Sequence, residues 1–304
     1  MKNFHGSRGS GPFFEGWYLK HQGGGRTIAF IPSFHRDDRG KTFASLQVIT
    51  GEGSWQKRYP GESFWAHRRA FQVLMGQEFY CSAKGLQANL DLPGLRVEGR
   101  LEYGPFTPLE SDIMGPFRFV PCLQCNHGVL SLAHTLSGVL TVNGEDWDLE
   151  GGTGYLEKDW GNSFPSAYLW TQCGWTHRGL PWSVMISAAT IPLGPGGFDG
   201  CICALLLGGK QVRIATYLGA KILGWNSRGV LLRQGSLTLE ARYLGGGRGG
   251  QDLSAPDRGA MSRVIRESAS CPVRYRLWQG SRLVMDALRE NASFEAGRAG
   301  PAAG

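Results

Sequence analysis

An all-β fold of many antiparallel strands is what this chain of 304 residues predicts. Three features carry that expectation. Apolar residues alternate with period two along most of the chain, the pattern of strands that bury one face. Glycine reaches 46 residues with no collagen-like repeat, about double the usual ~7%, which suits tight turns, bulges and sheet bends. No segment sustains a helical period.

Taken in order, the alternation predicts strands near 13–20, 26–34, 41–50, 70–82, 84–91, 94–103, 129–142, 145–150 and 153–160. More are expected near 167–174, 181–191, 198–207, 210–217, 229–243, 262–268, 272–279 and 281–295. In LTVNGEDWDLEG, Asn143-Gly144 separates two alternating runs and predicts a two-residue hairpin turn. Gly245 to Gly259, rich in glycine and containing Ala255-Pro256-Asp257, is expected to be a loop, and Ala296 to Gly304 a frayed tail. A faint echo also runs through the chain. Tyr18-Leu19 leads to Ile31-Pro32 and a strand ending at Gly51, as Tyr168-Leu169 leads to Ile191-Pro192 and a strand ending at Gly208. The echo suggests two similar β domains, dividing near residues 145–160.

Composition narrows the function classes. The net charge of +7 is spread over sites such as Lys57-Arg58, Arg68-Arg69, Arg274 and Arg276, with acids among them. That is the pattern of a solvated surface, with at most a weak attraction to anionic lipid headgroups. GGGRGGQ lacks the interleaved aromatics of a single-stranded nucleic-acid groove. No phosphate-binding Gly-x-x-x-x-Gly-Lys loop and no Gly-x-Ser-x-Gly elbow occurs, so nucleic acid is not an expected partner. The longest strongly apolar run, CICALLLGG, falls short of the ~20 residues of a membrane helix. The protein is therefore expected to be soluble or at most peripheral to a membrane. Seven irregularly spaced cysteines and no secretion-type N-terminal pattern fit a reducing cytoplasm.

Three stretches carry candidate chemistry. In FFEGWYLK, strand alternation puts Glu15 on one face with Phe13, Trp17 and Leu19, and Tyr18 on the other. A carboxyl among apolar neighbours is a candidate proton donor, unless an arginine or a backbone amide satisfies it. In GYLEKDWGNSFPSAYLWTQ, Tyr155, Glu157 and Asp159 share one face while Leu156, Lys158 and Trp160 share the other; Tyr168, Trp170 and Gln172 point together on the following strand. Acids beside aromatic rings could protonate an apolar ligand, and the ring faces could stabilise the resulting cation. The structural alternative is an ion network among Glu157, Lys158 and Asp159. In PCLQCNHGVLSLAHTLSG, Cys122-x-x-Cys125 has no second pair with zinc spacing, so no metal site is expected. His134 shares a face with Leu130, Leu132 and Leu136 and is expected to be a core histidine. Cys125 and His127 are candidates to line a ligand site.

Those three blocks, with MSRVIRES and DALRENASFE nearer the C-terminus, resemble the signature segments of the tocopherol cyclase family, from about Phe4 to Glu295. The family is related to proteins with two lipocalin-like domains, including carotenoid hydratase-like proteins and some pericyclic cyclases. The resemblance therefore implies two lipocalin-like antiparallel β-barrel or sandwich domains, over residues 1–150 and 151–295, with 296–304 a flexible tail. It further implies that a prenylated benzoquinol is cyclised by alkene protonation and attack of the phenolic oxygen, with no redox cofactor and no metal. Asp159, Glu157 and Glu15 are then the candidate acids, Asp159 first because Glu157 and Trp160 flank it. The candidate substrate-binding residues are Trp17, Tyr18, Cys125, His127, Tyr155, Trp160, Tyr168, Trp170 and Gln172. The residue before the motif cysteine, often Glu in the family pattern, is Gln124 here. The rival expectation is a lipocalin-like carrier that binds a hydrophobic small molecule without changing it.

Overall fold

A computed structural model gives the arrangement of the chain and describes residues 3–6, 9, 11–120, 123–192, 197–245 and 250–297. Two antiparallel sheets account for nearly all of it. Period-two burial explains why: along Gly85–Leu92, every second side chain from Leu86 to Leu92 is buried and those between are exposed.

The first sheet contains β1 (Phe13–Gly23), β2 (Arg26–Arg36), β3 (Thr42–Thr50), β4 (Ser54–Pro60), β5 (Phe64–Ala66), β6 (Gln72–Met75), β7 (Phe79–Ser82), β8 (Gly85–Leu92), β9 (Leu95–Tyr103), β10 (Cys125–Val142), β11 (Glu145–Asp148) and β12 (Thr153–Gly161). Its order is β4-β3-β2-β1-β12-β10-β9-β8-β7-β6-β5, with β11 added to β10. One apolar cluster, including Trp17, Leu19, Phe30, Leu46, Phe79, Val97, Leu140 and Leu156, draws on strands from both halves of this order. The sheet thus curls about a single core. It does not close into a barrel, because β4 and β5 end the described path without pairing to each other.

The second sheet contains β13 (Tyr168–His177), β14 (Leu180–Ile191), β15 (Phe198–Leu207), β16 (Lys210–Ala215), β17 (Lys221–Asn226), β18 (Gly229–Gln234), β19 (Leu237–Tyr243), β20 (Gln251–Asp257), β21 (Ala260–Gln279) and β22 (Arg282–Ala296). Its order, β16-β15-β14-β13-β22-β21-β19-β18-β17 with β20 on β21, repeats the connectivity of the first. The echo seen in the sequence falls on corresponding strands, β1 to β3 in one sheet and β13 to β15 in the other. Leu169, Val184, Ile186, Leu205, Val273 and Tyr275 belong to its separate core.

The chain divides into two compact units, one of residues 1–109, 122–164 and 254–263, the other of residues 110–121, 165–253 and 264–304. β12, which follows the expected division at residue 150, sits between β1 and β10 in the middle of the first sheet.

Several elements differ from expectation. The run at 70–82 is a hairpin of β6 and β7 turning at Gly76 (φ 55°), and 229–243 is β18 and β19 turning at Gly235 (φ 56°). A glycine inside an alternating run marked a turn in both, because it alone takes that backbone without strain. The expected loop at 245–259 contains a strand, β20: Pro256 is tolerated because β20 pairs on one side only, with β21. Conversely, 262–268 and 272–279 are one strand, whose pairing with β22 is interrupted by register shifts around Cys271. Asn143 (φ 51°) and Gly144 (φ 83°) do form the tight hairpin turn joining β10 and β11. No described helix is long and apolar enough to cross a membrane.

Candidate active site

The site is set by register. On β12, Glu157 lies opposite Tyr18 of β1 and Val129 of β10, and Asp159 lies opposite Gly16 and His127. Facing residues of adjacent strands point the same way. One face of these three strands therefore carries Tyr18, Cys125, His127, Tyr155, Glu157 and Asp159. The other carries Glu15, Trp17, Lys158 and Trp160.

The second face is a structural anchor. Glu15 is fully buried; Lys158 Nζ lies 2.7 Å from its Oε1, His5 Nδ1 is 2.9 Å from the same oxygen, and the His5 backbone N–H donates to Oε2 at 2.6 Å. Lys158 also donates to the Asn3 carbonyl at 2.7 Å and lies 4.7 Å from the Trp160 ring centroid. Trp160 stacks on His5 at 4.6 Å, and Trp17 is buried in the apolar core. Burial pushes the Lys158 ammonium down, and the adjacent Glu15 acts against that shift. Two expectations are corrected here. Glu15 is not surrounded by apolar groups alone, since a cation 143 residues away in sequence meets it. Trp160 does not flank Asp159, because it projects from the opposite face of β12, where it shields Lys158 together with His5.

On the first face the groups form a line. The Tyr155 hydroxyl donates a hydrogen bond to Glu157 Oε2. His127 Nε2 lies 3.2 Å from Glu157 Oε2 without directing its N–H at it, so this contact is an ion pair by distance and not a hydrogen bond. His127 Nδ1 meets Asp159 Oδ1 at 2.8 Å, and Cys125 Sγ lies 3.8 Å from that oxygen. Side-chain exposure climbs along the line, from 4% at Glu157 through 10% at His127 to 26% at Asp159. Gly16, opposite Asp159, has no side chain to cover it. Burial pulls the His127 imidazolium down, but Glu157 and Asp159 together raise it well above the ordinary histidine range. Burial and then Glu157 push the Tyr155 phenol well up, so it stays a donor. The expected network among Glu157, Lys158 and Asp159 is replaced by a histidine-bridged one, because Lys158 faces the other way.

His127, Glu157 and Asp159 have donor atoms within 4.8 Å of one another. The two carboxylates lie nearest opposite nitrogens of the His127 ring. Cys122 lies outside the described residues. His134 is a core histidine, bonded at 3.1 Å to Ser131 Oγ and packed between the Tyr103 and Phe106 rings. Burial lowers it to about 3.

In the second unit, Tyr168, Trp170 and Gln172 share a buried face of β13, and the Tyr168 hydroxyl donates to Glu295 of β22. Glu267 of β21 lies directly opposite Glu295, also buried. Sequence reasoning passed over both acids. Glu267 shares its phase with buried Ile265 and Ala269, a usable signal; around Glu295 both phases are buried, and there was none.

Two open antiparallel sheets with duplicated connectivity, one bearing a buried carboxylate–histidine line, define a lipocalin-like protein. The chain belongs to the tocopherol cyclase-like family, which it matches over residues 96–298. No curated protein matches it. Among solved structures it is similar to a putative AttH from Nitrosomonas europaea, at 11% identity over 94% of this chain and 92% of that one, with a TM-score of 0.54. It is similar to kievitone hydratase from Nectria haematococca, at 10% identity over 95% and 90% with a TM-score of 0.55. It is also similar to CghA with Sch210972, at 13% identity over 95% and 89% with a TM-score of 0.55. At these identities the likeness concerns the fold.

Proposed function

We propose that this chain closes a ring on a prenylated benzoquinol or a related isoprenoid lipid by acid catalysis, giving a chromanol-type product. The proton held between Glu157 and His127 is given from the Glu157 carboxyl to the trisubstituted alkene. The tertiary carbocation that results is attacked by the phenolic oxygen, a C–O bond forms, and the phenol proton leaves. Tyr155 positions the carboxyl, and the Tyr18 and Tyr155 rings on the same face can stabilise the cation. A C–H and a C–O bond form while the alkene π bond and the phenol O–H bond break, with no net oxidation, so the step as written uses no redox cofactor and no metal.

The observation that carries this reading is the buried Tyr155–Glu157–His127 contact, which lies within the stretch matching the family. One structural relative is named a hydratase. Water in place of the phenol would turn the same protonation into a hydration. The test is incubation of the protein with a series of 1,4-benzoquinols bearing geranyl or longer prenyl chains, with chromatographic detection of chromanol. Wild type should form product, and Glu157→Gln should be slower by about 10²–10⁴-fold, the usual contribution of a positioned acid. Retention of the quinol without product by wild type would favour the carrier.

A further inference from the structure

A glycine interrupts the row of side chains beside Asp159. Gly16 of β1 lies opposite Asp159 of β12 on one side and Ser33 of β2 on the other. Trp17 and Phe34 belong to the apolar core, so Gly16 and Ser33 share the opposite face, that of Glu157 and Asp159. A Cβ placed on Gly16 would meet Ser33 Cβ at 3.3 Å and the Pro32 carbonyl at 3.8 Å, both on the neighbouring strand. Apart from the adjoining residues of β1, nothing else among the described residues comes within 4 Å of that point. Gly16 has no positive φ, so backbone geometry does not account for the missing side chain. What its absence provides is room.

The gap has distinct walls. Along β1, the rings of Phe14 and Tyr18 flank Gly16 on the same face, both buried. Across the strands, Asp159 and Ser33 stand two strand spacings apart, about 10 Å. The Ser33 hydroxyl is held from behind: its Oγ lies 2.8 Å from His35 Nε2 and 2.9 Å from Ser45 Oγ, and it donates to the Ser45 carbonyl at 3.0 Å. Ser45 Oγ is 3.2 Å from the same ring nitrogen. His35 Nδ1 has no hydrogen-bond partner, so the imidazole serves the two serines alone. Burial, with Arg58 adding to it, lowers His35 to about 3 and keeps the ring neutral. A hydroxyl rotates to suit its partner, so Ser33 can turn its O–H from the Ser45 carbonyl to an oxygen in the gap.

We infer that the gap over Gly16 binds the aromatic head of the quinol, with the cyclising hydroxyl at Asp159 and the opposite hydroxyl at Ser33, and so selects a 1,4-diol over a monophenol. This rests on the ring-closure reading above. A hydrogen bond adds about 2.7 Å at each hydroxyl, so the two oxygens of a benzene-1,4-diol bridge the span from Asp159 to Ser33. A phenol with one hydroxyl satisfies only one wall. The same placement brings the alkene to the acid. Tyr18 and Glu157, which face each other, are the next pair on this face of β1 and β12, roughly 7 Å along the strands from Gly16 and Asp159. A prenyl chain beside the cyclising hydroxyl extends toward them.

Calorimetric binding of geranyl-1,4-benzoquinol and of 2-geranylphenol to the full chain, with oxygen excluded, tests the subsite. Wild type should bind the diol about tenfold more tightly, the worth of one hydrogen bond. In Ser33→Ala the two ligands should bind alike, through weaker binding of the diol with the phenol unchanged. Gly16→Val, which fills the gap, should weaken both by about 30-fold, within the range of an overpacked contact, and Gly16→Ala should weaken both by less. Urea midpoints establish that each variant is folded, and if Gly16→Val is not, the wild-type comparison and Ser33→Ala decide. Equal affinities in wild type, a diol preference that survives Ser33→Ala, or unchanged binding in folded Gly16→Val would overturn the subsite. Chromanol assays on the same samples keep the two readings apart. Chromanol formed without a diol preference would remove the subsite and leave ring closure standing, whereas a diol preference lost in Ser33→Ala but accompanied by no chromanol would uphold the subsite in a carrier.

Discussion

Glu15 and Glu157 lie on adjacent strands, are both buried, and project from opposite faces of the same sheet. Their surroundings could hardly differ more. Glu15 is clamped by Lys158 and by two donors from His5, and the Lys158 ammonium is itself anchored to the Asn3 carbonyl. Its two oxygens hold the N-terminal segment onto β1 and β12. Glu157 instead lies beside a phenol hydroxyl and an imidazole whose other nitrogen meets a second carboxylate, Asp159. A step of one residue along β12, from Glu157 to Lys158, changes the partner set from reactive to structural. Burial alone therefore does not mark an acid as catalytic; the identity of the groups on its own face does.

Histidines sharpen the same contrast and give the largest expected effect. His21, His35 and His134 are each lowered to about 3, burial being the main cause, while His127 is raised by its two carboxylates despite burial. For the first three, the unfolded chain binds protons that the folded chain refuses. Their stabilisation is complete above the unfolded value of 6.5 and is lost as pH falls toward 3. By pH 5 each should have removed roughly 2 kcal/mol. His127 has the opposite sign: its contribution is complete below 6.5 and is lost as pH rises through its folded value. Urea midpoints measured from pH 8 to 5 should fall steeply, and His35→Gln should flatten part of that slope. A pH-independent midpoint would mean that these rings are not held neutral.

Next in size is Glu15→Ala, which strands the Lys158 ammonium in the interior and should cost about 3–5 kcal/mol in urea unfolding. Converting the pair to Glu15→Leu with Lys158→Met should recover much of that loss, because no lone charge is then buried. Tyr155→Phe removes one hydrogen bond to a carboxylate and should cost about 1.5–3 kcal/mol. It should also slow turnover, which Glu15→Leu/Lys158→Met should not. Smallest is Asn143→Ala at the β10–β11 turn, where a positive φ costs an ordinary residue about 1–2 kcal/mol and no effect on turnover is expected.

The strands were readable from alternation, and so was the composition of each face: Tyr155, Glu157 and Asp159 together, Lys158 and Trp160 opposite. The Asn143-Gly144 turn was readable because its backbone requirement is local. What could not be read was which strand lies beside which. Lys158 finds Glu15 only once β1 and β12 are paired, and His127 reaches both acids only in the register that β10 adopts beside β12. Both facts depend on long-range pairing that a period-two pattern does not encode. Strands with weak alternation escaped for a related reason. Ser54–Pro60 and Lys221–Asn226 lie near or at sheet edges, where one side needs no partner and polar residues are tolerated.

The most direct test of the division between the two faces is chromanol formation from a geranylated benzoquinol by two folded variants measured side by side. Glu157→Gln should lose about 10²-fold or more of the wild-type rate, while Glu15→Leu/Lys158→Met should keep it within a few-fold. Full activity in Glu157→Gln, with loss in the Glu15/Lys158 double variant, would contradict the account and move the chemistry to the other side of the sheet.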